Sequence, residues 1–452
     1  MFSVTSLGFL PFMALFACLW YRVPQPSRWK LVLAANAVFC LSIDIGAFFA
    51  VALATAVVWQ AAQHAQPEQP SRRGWLALGL AAALLPLLVL KYSGMLAPGL
   101  RDLYKPFGLA YYSLQLAGYL LDVWHGRTAP TPSYARLWCY AGFFLSLTQG
   151  PFNRYNTLMP QLEAAPKTFE TQRLVSGLQR SAWGYFKKFA AFADPASFDR
   201  SQLIFATVMY SFQLYADFSG YTDIVLGMGE ILGLHLPENF RQPFFSASVK
   251  ELWARWHISL SQWFRDYVYI PLGGNRKGIA RRDANLLLTF LVSGLWHGAN
   301  WTFLVWGGLH GLCQVAEDHM PAPLRKRKSL PLRIVGVPLT FAIFVTTFTI
   351  FRASSLGNAA AYFAGILHNP GHEVFAQYWL LGLTSKLELL LLLLGIALLV
   401  LVDVLHECGL HLRAWVNAAP RPVRWAVYEF AIFAFLLMAS FYSNTGFLYA
   451  RF

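Results

Sequence analysis

The stretch SGLWHGANWTFLVWGGLHG, residues 293–311, places the ionisable His297 inside an otherwise apolar run of membrane-segment length. An ionisable side chain inside a membrane costs about 3 kcal/mol or more, so function is its default explanation. Glycines interrupt the stretch, and Trp296 and Asn300 add hydrogen-bond donors. Irregular backbone at membrane depth is tolerated where it lines a cavity and not where it faces lipid. The stretch therefore predicts a buried polar site in a membrane protein.

The composition of the whole chain agrees with a membrane location. Of 452 residues, 56% are hydrophobic and 13% are charged, whereas a soluble domain carries about 25% charged residues. The first apolar segment, 9–20, lacks the Ala-x-Ala exit of a cleaved signal and is interpreted as a retained helix. We expect an all-α protein that crosses the bilayer many times.

The formal charge of +14 comes from 36 lysines and arginines, which lie mainly in short loops between apolar runs. That distribution is typical of the positive-inside bias of membrane proteins. Since the sequence has no folded basic domain, nucleic acid is not an expected partner. The five cysteines lack the spacing of metal ligands or of disulfides. We expect no bound metal and no tightly bound cofactor.

Apolar runs separated by charged and proline-rich breaks predict about eleven hydrophobic segments. They lie near 4–21, 31–61, 75–93, 107–124, 137–150, 174–192, 202–233, 286–315, 332–351, 379–404 and 423–441. The runs 31–61 and 202–233 are long for one helix and short for two. No loop is long enough for a soluble domain, so we predict a single membrane domain over residues 1–452.

Two basic clusters, at 276–282 and 325–333, flank the segment 286–315. The positive-inside rule places both clusters in the cytoplasm. A segment of about 30 residues crosses a membrane once easily, whereas two full crossings need about 40 residues. Either one cluster breaks the rule, or the segment is a re-entrant or broken helix that enters and returns. The glycines favour the second interpretation.

A helix is predicted to begin after Ser248, because Ser248 and Glu251 have the spacing of a capping box. From there to Tyr267, tryptophans and other apolar residues recur every three or four positions, while polar residues mostly hold the other face. This pattern predicts an amphipathic helix at the bilayer interface, which ends in a turn at Pro271.

Three histidines lie in or next to the predicted centre: His257, His297 and His310. In an unbroken helix the spacing of His297 and His310 corresponds to about 220° of rotation and about 20 Å of rise, so they share a site only if the helix breaks. His257 and His297 lie on separate segments and are free to converge. A buried neutral imidazole accepts a proton from a hydroxyl near neutral pH. These two are therefore the first catalytic candidates, with Trp296 and Asn300 as oxyanion donors.

Other interpretations of these polar residues stay open. Each histidine can instead be a hydrogen-bonded residue of a helix bundle. The acids Asp217, Asp223 and Glu230 fit an ion or proton relay, or else helix capping and pairing with arginines. The sequence has neither the HExxH pattern nor the Cys/His pairing that would indicate a metal site. It also has no GxSxG motif to indicate a nucleophilic serine.

Several motifs in order resemble one family. QLYADFSGYTDI, LPENFRQPF, ELWARWHISLSQWFRDYVYIPLGGNRKG and GLWHGANWTFLVWGGLHG lie between residues 213 and 311. Together they resemble the membrane-bound O-acyltransferase (MBOAT) superfamily, in its bacterial alginate O-acetyltransferase-like branch. KPFGLAYYSLQLAGYLLDVWHG and GPFNRY extend the resemblance toward the N-terminus, so an MBOAT-like core is expected over about 107–351.

The resemblance implies an MBOAT-like ring of about eleven transmembrane and re-entrant helices around a thinned catalytic centre. It also implies transfer of an acyl group, with acetyl expected, to a hydroxyl of a cell-surface or exported polysaccharide. The expected donor is a cytoplasmic thioester, acetyl-CoA or an acyl carrier protein, and a periplasmic or extracellular acyltransferase is an expected partner beside the lipid bilayer. The expected location is the bacterial cytoplasmic (inner) membrane, as a multi-pass protein.

By position, His297 resembles the family's catalytic histidine, acting as general base, and His257 resembles the second histidine facing it. Trp256 and His310 are expected to line the substrate site. The C-terminal FLYARF has an F-x-Y-x-x-F pattern, in which Tyr449 is either an acyl relay or part of an aromatic end at the interface.

Two other functions are alternatives to acetyl transfer. The first is D-alanyl transfer to teichoic or lipoteichoic acid, on the same fold. The second is a transporter of lipid-linked or acyl-bearing intermediates, in which histidines and acids form a proton relay. PLGGNR and FLYARF favour the alginate-like branch over the first rival.

Overall fold

The computed structural model describes residues 4, 6, 8–96, 104–187, 199–326, 329–371 and 386–439. Within these ranges the regular structure is helical and no β-strand forms, although one isolated antiparallel bridge joins Phe240 and Trp256. The all-α prediction is therefore confirmed. The chain divides into two compact units: unit 1 holds Met1–Ser181 and Tyr221–Glu238, and unit 2 holds Ala182–Gly220 and Asn239–Phe452.

The helices follow in chain order. Unit 1 contains α1 (Phe9–Arg22), α2 (Arg28–Ile43), α3 (Ile45–His64), α4 (Arg72–Leu96), α5 (Leu109–Trp124), α6 (Tyr134–Ala141), α7 (Tyr155–Ala164) and most of α8 (Thr171–Phe186). Helix α9 (Arg200–Ile231) contributes its first part to unit 2 and its last part to unit 1. Unit 2 continues with α10 (Val249–Arg255), α11 (Ile258–Phe264), α12 (Ile279–His297), α13 (Trp301–His319), α14 (Ala322–Lys326), α15 (Leu330–Arg352), α16 (Leu356–His368), α17 (Lys386–Glu407), α18 (Leu412–Ala418) and α19 (Arg421–Ala439).

Four helical stretches of the described chain are long and apolar enough to cross a membrane. They are Ile45–His64, Arg72–Ser93, Leu330–Arg352 and Lys386–Glu407. These stretches support a multi-pass membrane protein. They do not reach the predicted total of about eleven transmembrane and re-entrant helices, so the ring arrangement stays a prediction, as does the single domain with a core over 107–351.

The structure settles the two segments of ambiguous length. The run 31–61 is two helices, because α2 ends before Asp44 and the Asp44 side chain caps α3 by accepting from the backbone N–H of Gly46 at 2.9 Å. The run 202–233 is one helix of 32 residues. The hydrophobic segment predicted at 137–150 is not one continuous helix, since α6 ends at Ala141 and the chain turns beyond it.

The predicted helix after Ser248 begins where expected. Ser248 Oγ accepts from the backbone N–H of Glu251 at 3.0 Å, while the Glu251 carboxylate accepts from the N–H of Ala247 at 2.9 Å. The prediction of one continuous amphipathic helix is wrong, because α10 ends at Arg255 and α11 begins only at Ile258. Its aromatic residues are buried within the protein instead of facing outward: Trp253, Trp256, Trp263 and Tyr267.

The segment 286–315 is a broken helix that returns on itself, as predicted. Helices α12 and α13 pack as a hairpin, with the chain extended at Gly298. A side chain at Gly294 or Gly307 would overlap a carbonyl oxygen of the other helix, so both positions require glycine. At the open end, His319 and Asp283 lie 2.7 Å apart. The hairpin therefore brings both flanking basic segments to the same end and removes the conflict with the positive-inside rule.

Candidate active site

His257 occupies the break between α10 and α11 in a left-handed backbone conformation, with φ 45° and ψ 50°. A non-glycine residue there carries a cost of about 1–3 kcal/mol, which the surrounding structure has to offset. Asn239 does so on the C-terminal side of the break: its backbone oxygen accepts from the N–H of Ile258 at 3.0 Å and its side-chain oxygen from the hydroxyl of Ser259 at 2.6 Å. On the other side, Arg241 N–H donates to Arg255 O at 2.9 Å. The imidazole is 1% exposed.

His297 is the last residue of α12, at the closed end of the hairpin, and it is buried. Its ring lies 5.0 Å from that of Trp306 and 5.4 Å from that of Phe351, both at steep angles. Trp306 belongs to the returning helix and Phe351 to α15. Gly298, whose backbone is extended, ends the helix directly after His297. A helix C-terminus carries partial negative charge, which favours a cation at this position.

The indole of Trp296 connects the two histidines. Its ring centroid lies 4.8 Å from that of His297 and 6.4 Å from that of His257. The two separate segments, which the sequence left free to converge, thus both lie next to this indole. His257 lies at the break between α10 and α11, and His297 lies where α12 ends before α13. Both imidazoles lie next to the indole of Trp296.

An aromatic core surrounds this arrangement. Phe218 packs its ring against His257 at 4.7 Å, and Trp256 contacts Phe344 at 4.9 Å and Phe348 at 5.6 Å. The buried members of the core are Tyr210, Leu214, Tyr215, Ala216, Phe218, Val249, Leu252, Trp253, Trp256, Phe303, Trp306, Phe344, Phe348, Phe351 and Leu399. Trp256 therefore forms part of the wall next to His257. Such a core excludes water, which strengthens electrostatic interactions inside it.

His310 lies behind the pair of histidines and has both ring nitrogens engaged. Trp253 Nε1 lies 3.3 Å from Nδ1, and Thr347 Oγ1 lies 3.0 Å from Nε2. Since an indole N–H only donates, Nδ1 accepts and the proton is assigned to Nε2. Nε2–H then donates to Thr347, whose hydroxyl donates to the backbone oxygen of Ile343 at 2.8 Å. These contacts favour a neutral, structural His310 over a residue that lines the substrate site.

Asn300 holds the closed end of the hairpin. Its side-chain oxygen accepts from the N–H of Thr302 at 3.2 Å, which caps α13, and its amide donates to the backbone oxygen of Ser354 at 2.7 Å. One N–H of the amide is thus committed to positioning the loop that follows His297. The predicted role as an oxyanion donor would fall to the other N–H.

The predicted acids separate into two groups. In unit 1, Arg180 pairs with Asp223 at 3.1 Å and with Glu230 at 3.2 Å, so pairing with arginine, and not a relay, accounts for these two acids. Asp217 is buried in unit 2. No cluster of three or more His, Cys, Asp or Glu residues suitable for a metal occurs in the described part of the chain. Tyr449 lies outside the described residues.

Lys187 and Asp403 are among the buried charged residues that the sequence pattern did not single out as site residues. Lys187, 5% exposed, follows α8, and Asp403, 6% exposed, lies in α17. The Asp403 carboxylate accepts from the hydroxyl of Tyr215 at 2.9 Å. An acid inside the leucine-rich run of α17 was a signal available from the sequence, because a charge in a membrane segment marks a functional or paired residue.

Two buried imidazoles lie beside one indole, in a protein with apolar helices of membrane length. These features define a membrane protein with polar side chains inside it. The chain belongs to the MBOAT, membrane-bound O-acyltransferase family, whose model matches residues 127–356.

Curated relatives extend this similarity over most of the chain. A probable alginate O-acetylase of Azotobacter vinelandii is 33% identical over 81% of this chain and 77% of its own length. A peptidoglycan O-acetyltransferase of Helicobacter pylori is 31% identical over 67% of this chain and 66% of its own. A teichoic acid D-alanyltransferase of Bacillus subtilis is 27% identical over 67% and 84%. The protein is a multi-pass membrane O-acyltransferase.

Proposed function

We propose that this protein transfers an acetyl group from a cytoplasmic thioester donor to hydroxyls of a cell-surface or exported polysaccharide. The observation that carries the proposal is the placement of His257 and His297 around the indole of Trp296, with ring centroids 6.4 and 4.8 Å away. The names of the relatives support the acetyl group and a polymer acceptor, since two of the three are O-acetylating enzymes.

In the proposed reaction His297 is the general base. Its imidazole accepts the proton of the acceptor hydroxyl as that oxygen attacks the acyl carbon, and the carbonyl electrons move onto the acyl oxygen. The C–S bond then breaks, and the leaving thiolate takes the proton back from the imidazolium. Because His297 ends α12, the helix C-terminus stabilises the positive charge that forms in between. General-base help of this kind is worth about 10²- to 10⁴-fold in rate.

His257 is proposed to position or polarise the acyl group. Its strained backbone supports this role, since strain at a buried residue persists where the surroundings hold it for a purpose. Trp296 and the second N–H of Asn300 are proposed to donate to the acyl oxygen. Trp256 shapes the wall next to His257, as its contacts with Phe344 and Phe348 indicate.

The donor, the partner and the cellular setting belong to the same proposal. Acetyl-CoA or an acyl carrier protein supplies the thioester, and the acyl group passes to the polysaccharide or to a periplasmic or extracellular acyltransferase. The protein resides in the bacterial cytoplasmic membrane, where a ring of about eleven transmembrane and re-entrant helices surrounds a thinned catalytic centre. The hairpin of α12 and α13 supports the re-entrant element of that ring.

The test is the ester content of surface polysaccharide from cells that produce the wild-type protein, His297→Ala or His257→Ala at matched membrane abundance. His235→Ala is the control, because this histidine is exposed and its hydrogen bonds to Gln161 run through its backbone. We expect ester-linked acetyl to fall by about 100-fold or more for both site variants and to be unchanged for the control. Wild-type ester content in His297→Ala contradicts the proposal and favours a transporter, which moves substrate without modifying it.

D-alanyl transfer is a second candidate, supported by the teichoic acid D-alanyltransferase among the relatives. Mild base releases either group from the polymer, and mass spectrometry distinguishes acetate from D-alanine. Tyr449→Phe tests the proposed acyl relay in the same cells, because the phenylalanine keeps the ring and removes the hydroxyl that would carry the group. Unchanged ester content in that variant rejects the relay while leaving the roles of the histidines intact.

A further inference from the structure

Lys187 is a buried ammonium group in unit 2. Its side chain is 5% exposed, and Nζ lies 3.1 Å from Ser219 Oγ. Two aromatic rings flank the charge, with Nζ 5.5 Å from the ring centroid of Trp183 and 5.6 Å from that of Tyr215. Both distances fall within the range of about 6 Å for cation–π attraction. These contacts stabilise the charged form of a group that is costly to bury.

The Lys187 ammonium and the His257 imidazole both contact helix α9. Tyr215, Phe218 and Ser219 stand at positions i, i+3 and i+4 of α9 and therefore share one face of the helix. Phe218 packs on the His257 imidazole, 4.7 Å between centroids, while Ser219 and Tyr215 contact Lys187. One stretch of α9 thus contacts the Lys187 ammonium through Tyr215 and Ser219 and the His257 imidazole through Phe218.

A counter-charge lies on the far side of Tyr215. The Tyr215 hydroxyl donates to Asp403 at 2.9 Å, so the tyrosine has the Lys187 ammonium against its ring and the Asp403 carboxylate at its hydroxyl. Charge balance with Asp403 is therefore the competing explanation of Lys187. The two explanations differ in what happens when both charges are removed together.

Acyl transfer creates a negative charge inside this aromatic core, and a cation stabilises it in addition to the proposed N–H donors. When a hydroxyl attacks a thioester, the carbonyl electrons become an oxyanion on the acyl oxygen. Among the described residues of unit 2, Lys187 is the lysine or arginine withdrawn almost completely from solvent. In a site that excludes water, a fixed cation acts much more strongly on such a charge than it would in water.

We propose that the Lys187 ammonium binds the acyl oxygen of the thioester and stabilises the oxyanion that forms there. Lys187 takes no part in proton transfer: His297 accepts the acceptor's proton, and the thiolate later takes it. This role rests on the proposed function, because it assigns Lys187 to the acyl group that His257 and His297 act on.

The experiment compares Lys187→Met, Lys187→Arg, Asp403→Asn and the double variant Lys187→Met/Asp403→Asn. Methionine keeps roughly the length of the lysine side chain and removes its charge. The double variant removes both the positive and the negative charge, so that neither remains without its counter-charge. Membrane abundance, thermal unfolding in detergent and ester-linked acetyl on surface polysaccharide are measured for each. His297→Ala is included as the reference for complete loss.

The proposal expects Lys187→Met to lose about 100-fold or more of the ester formed per protein, as removal of one oxyanion donor does. Lys187→Arg should recover part of that loss, because arginine retains the charge with a different shape. The double variant should regain stability and abundance yet remain as inactive as Lys187→Met. Recovery of ester content in the double variant overturns the proposal and assigns Lys187 to charge balance. That outcome is distinct from failure of the proposed function, which would show as retained ester content in His297→Ala.

Discussion

His297 and His310 lie on opposite helices of one hairpin and contact the same indole, that of Trp306, with ring centroids 5.0 and 5.2 Å away. His310 is fixed by Trp253 and Thr347, so Trp306 packs between a rigid imidazole and one proposed to change its protonation state. The hydrogen bonds of His310 favour a structural role for it, whereas His297 is the proposed base.

The structural task of His310 predicts different outcomes for two substitutions. His310→Phe leaves the buried Trp253 N–H without its acceptor, whereas the Thr347 hydroxyl keeps its bond to the backbone oxygen of Ile343. The unsatisfied indole N–H should lower stability by about 1–3 kcal/mol. His310→Gln can accept and donate, so it should lose less. Thermal unfolding in detergent measures both. If His310→Gln is as stable as the wild type but as inactive as His297→Ala, His310 acts in the chemistry.

The close packing of the hairpin predicts a contrast between two glycines. Gly294→Ala pushes a methyl group into the carbonyl oxygen of Phe303, which should cost about 1–3 kcal/mol and displace the neighbouring His297. Gly308→Ala meets only Leu291 Cδ2 at 3.6 Å, an ordinary contact, and alanine should stabilise the helix by about 0.5–1 kcal/mol. Unfolding temperature and ester content should both fall for the first variant and not for the second. Equal behaviour of the two variants would show that the helices can separate without cost.

The hairpin and the helix start at Ser248 could be predicted from the sequence, because charge placement, segment length and capping residues are local signals. The break at His257 could not. The apolar spacing continues through Trp256 and favours an unbroken helix, whereas the left-handed backbone depends on Asn239, which lies earlier in the chain. The convergence of His257 with His297 was predicted only as a possibility that separate segments allow. The partners of His310 come from two other helices, and no spacing rule connects them.

Glu317 is predicted to stabilise the helix that leads to His257. Its carboxylate accepts from the backbone N–H groups of Val249 at 2.8 Å and Lys250 at 3.0 Å, at the start of α10. Glu317→Gln removes the negative charge and one acceptor there, so it should lower stability by about 1–2 kcal/mol. Asp318→Asn is the control, because Asp318 pairs with the largely exposed Lys250 at 3.1 Å and with Arg282 at 3.8 Å and does not cap α10. Ion pairs with exposed side chains contribute about 0–1 kcal/mol each. A larger loss for Asp318→Asn than for Glu317→Gln would contradict the capping role.

The open end of the hairpin should show a pH dependence. A hydrogen bond from His319, together with the adjacent Arg282, holds the pKa of Asp283 below its usual value. A carboxyl whose pKa is lowered by folding stabilises the protein fully above its unfolded pKa, about 4, and loses that contribution as the pH falls through the lower folded value. The unfolding temperature of Asp283→Asn should therefore lie below that of the wild type near pH 6, and the gap should close in acid. A gap that stays constant down to pH 3 would contradict this linkage.

The backbone of His257 allows its structural and chemical roles to be separated. With φ at 45°, the position suits asparagine and glycine, which adopt the left-handed region more readily than other residues. His257→Asn should therefore be produced at close to wild-type abundance and should keep the break between α10 and α11. Ester formation per protein should nevertheless fall by about 100-fold, because the shorter asparagine side chain does not reach the position of the imidazole Nε2 and an amide cannot transfer a proton. His257→Ala, which lacks the conformational preference, should lose both stability and activity. If His257→Asn retains wild-type ester content, His257 serves only to shape the turn, and the proposed chemistry rests on His297 alone.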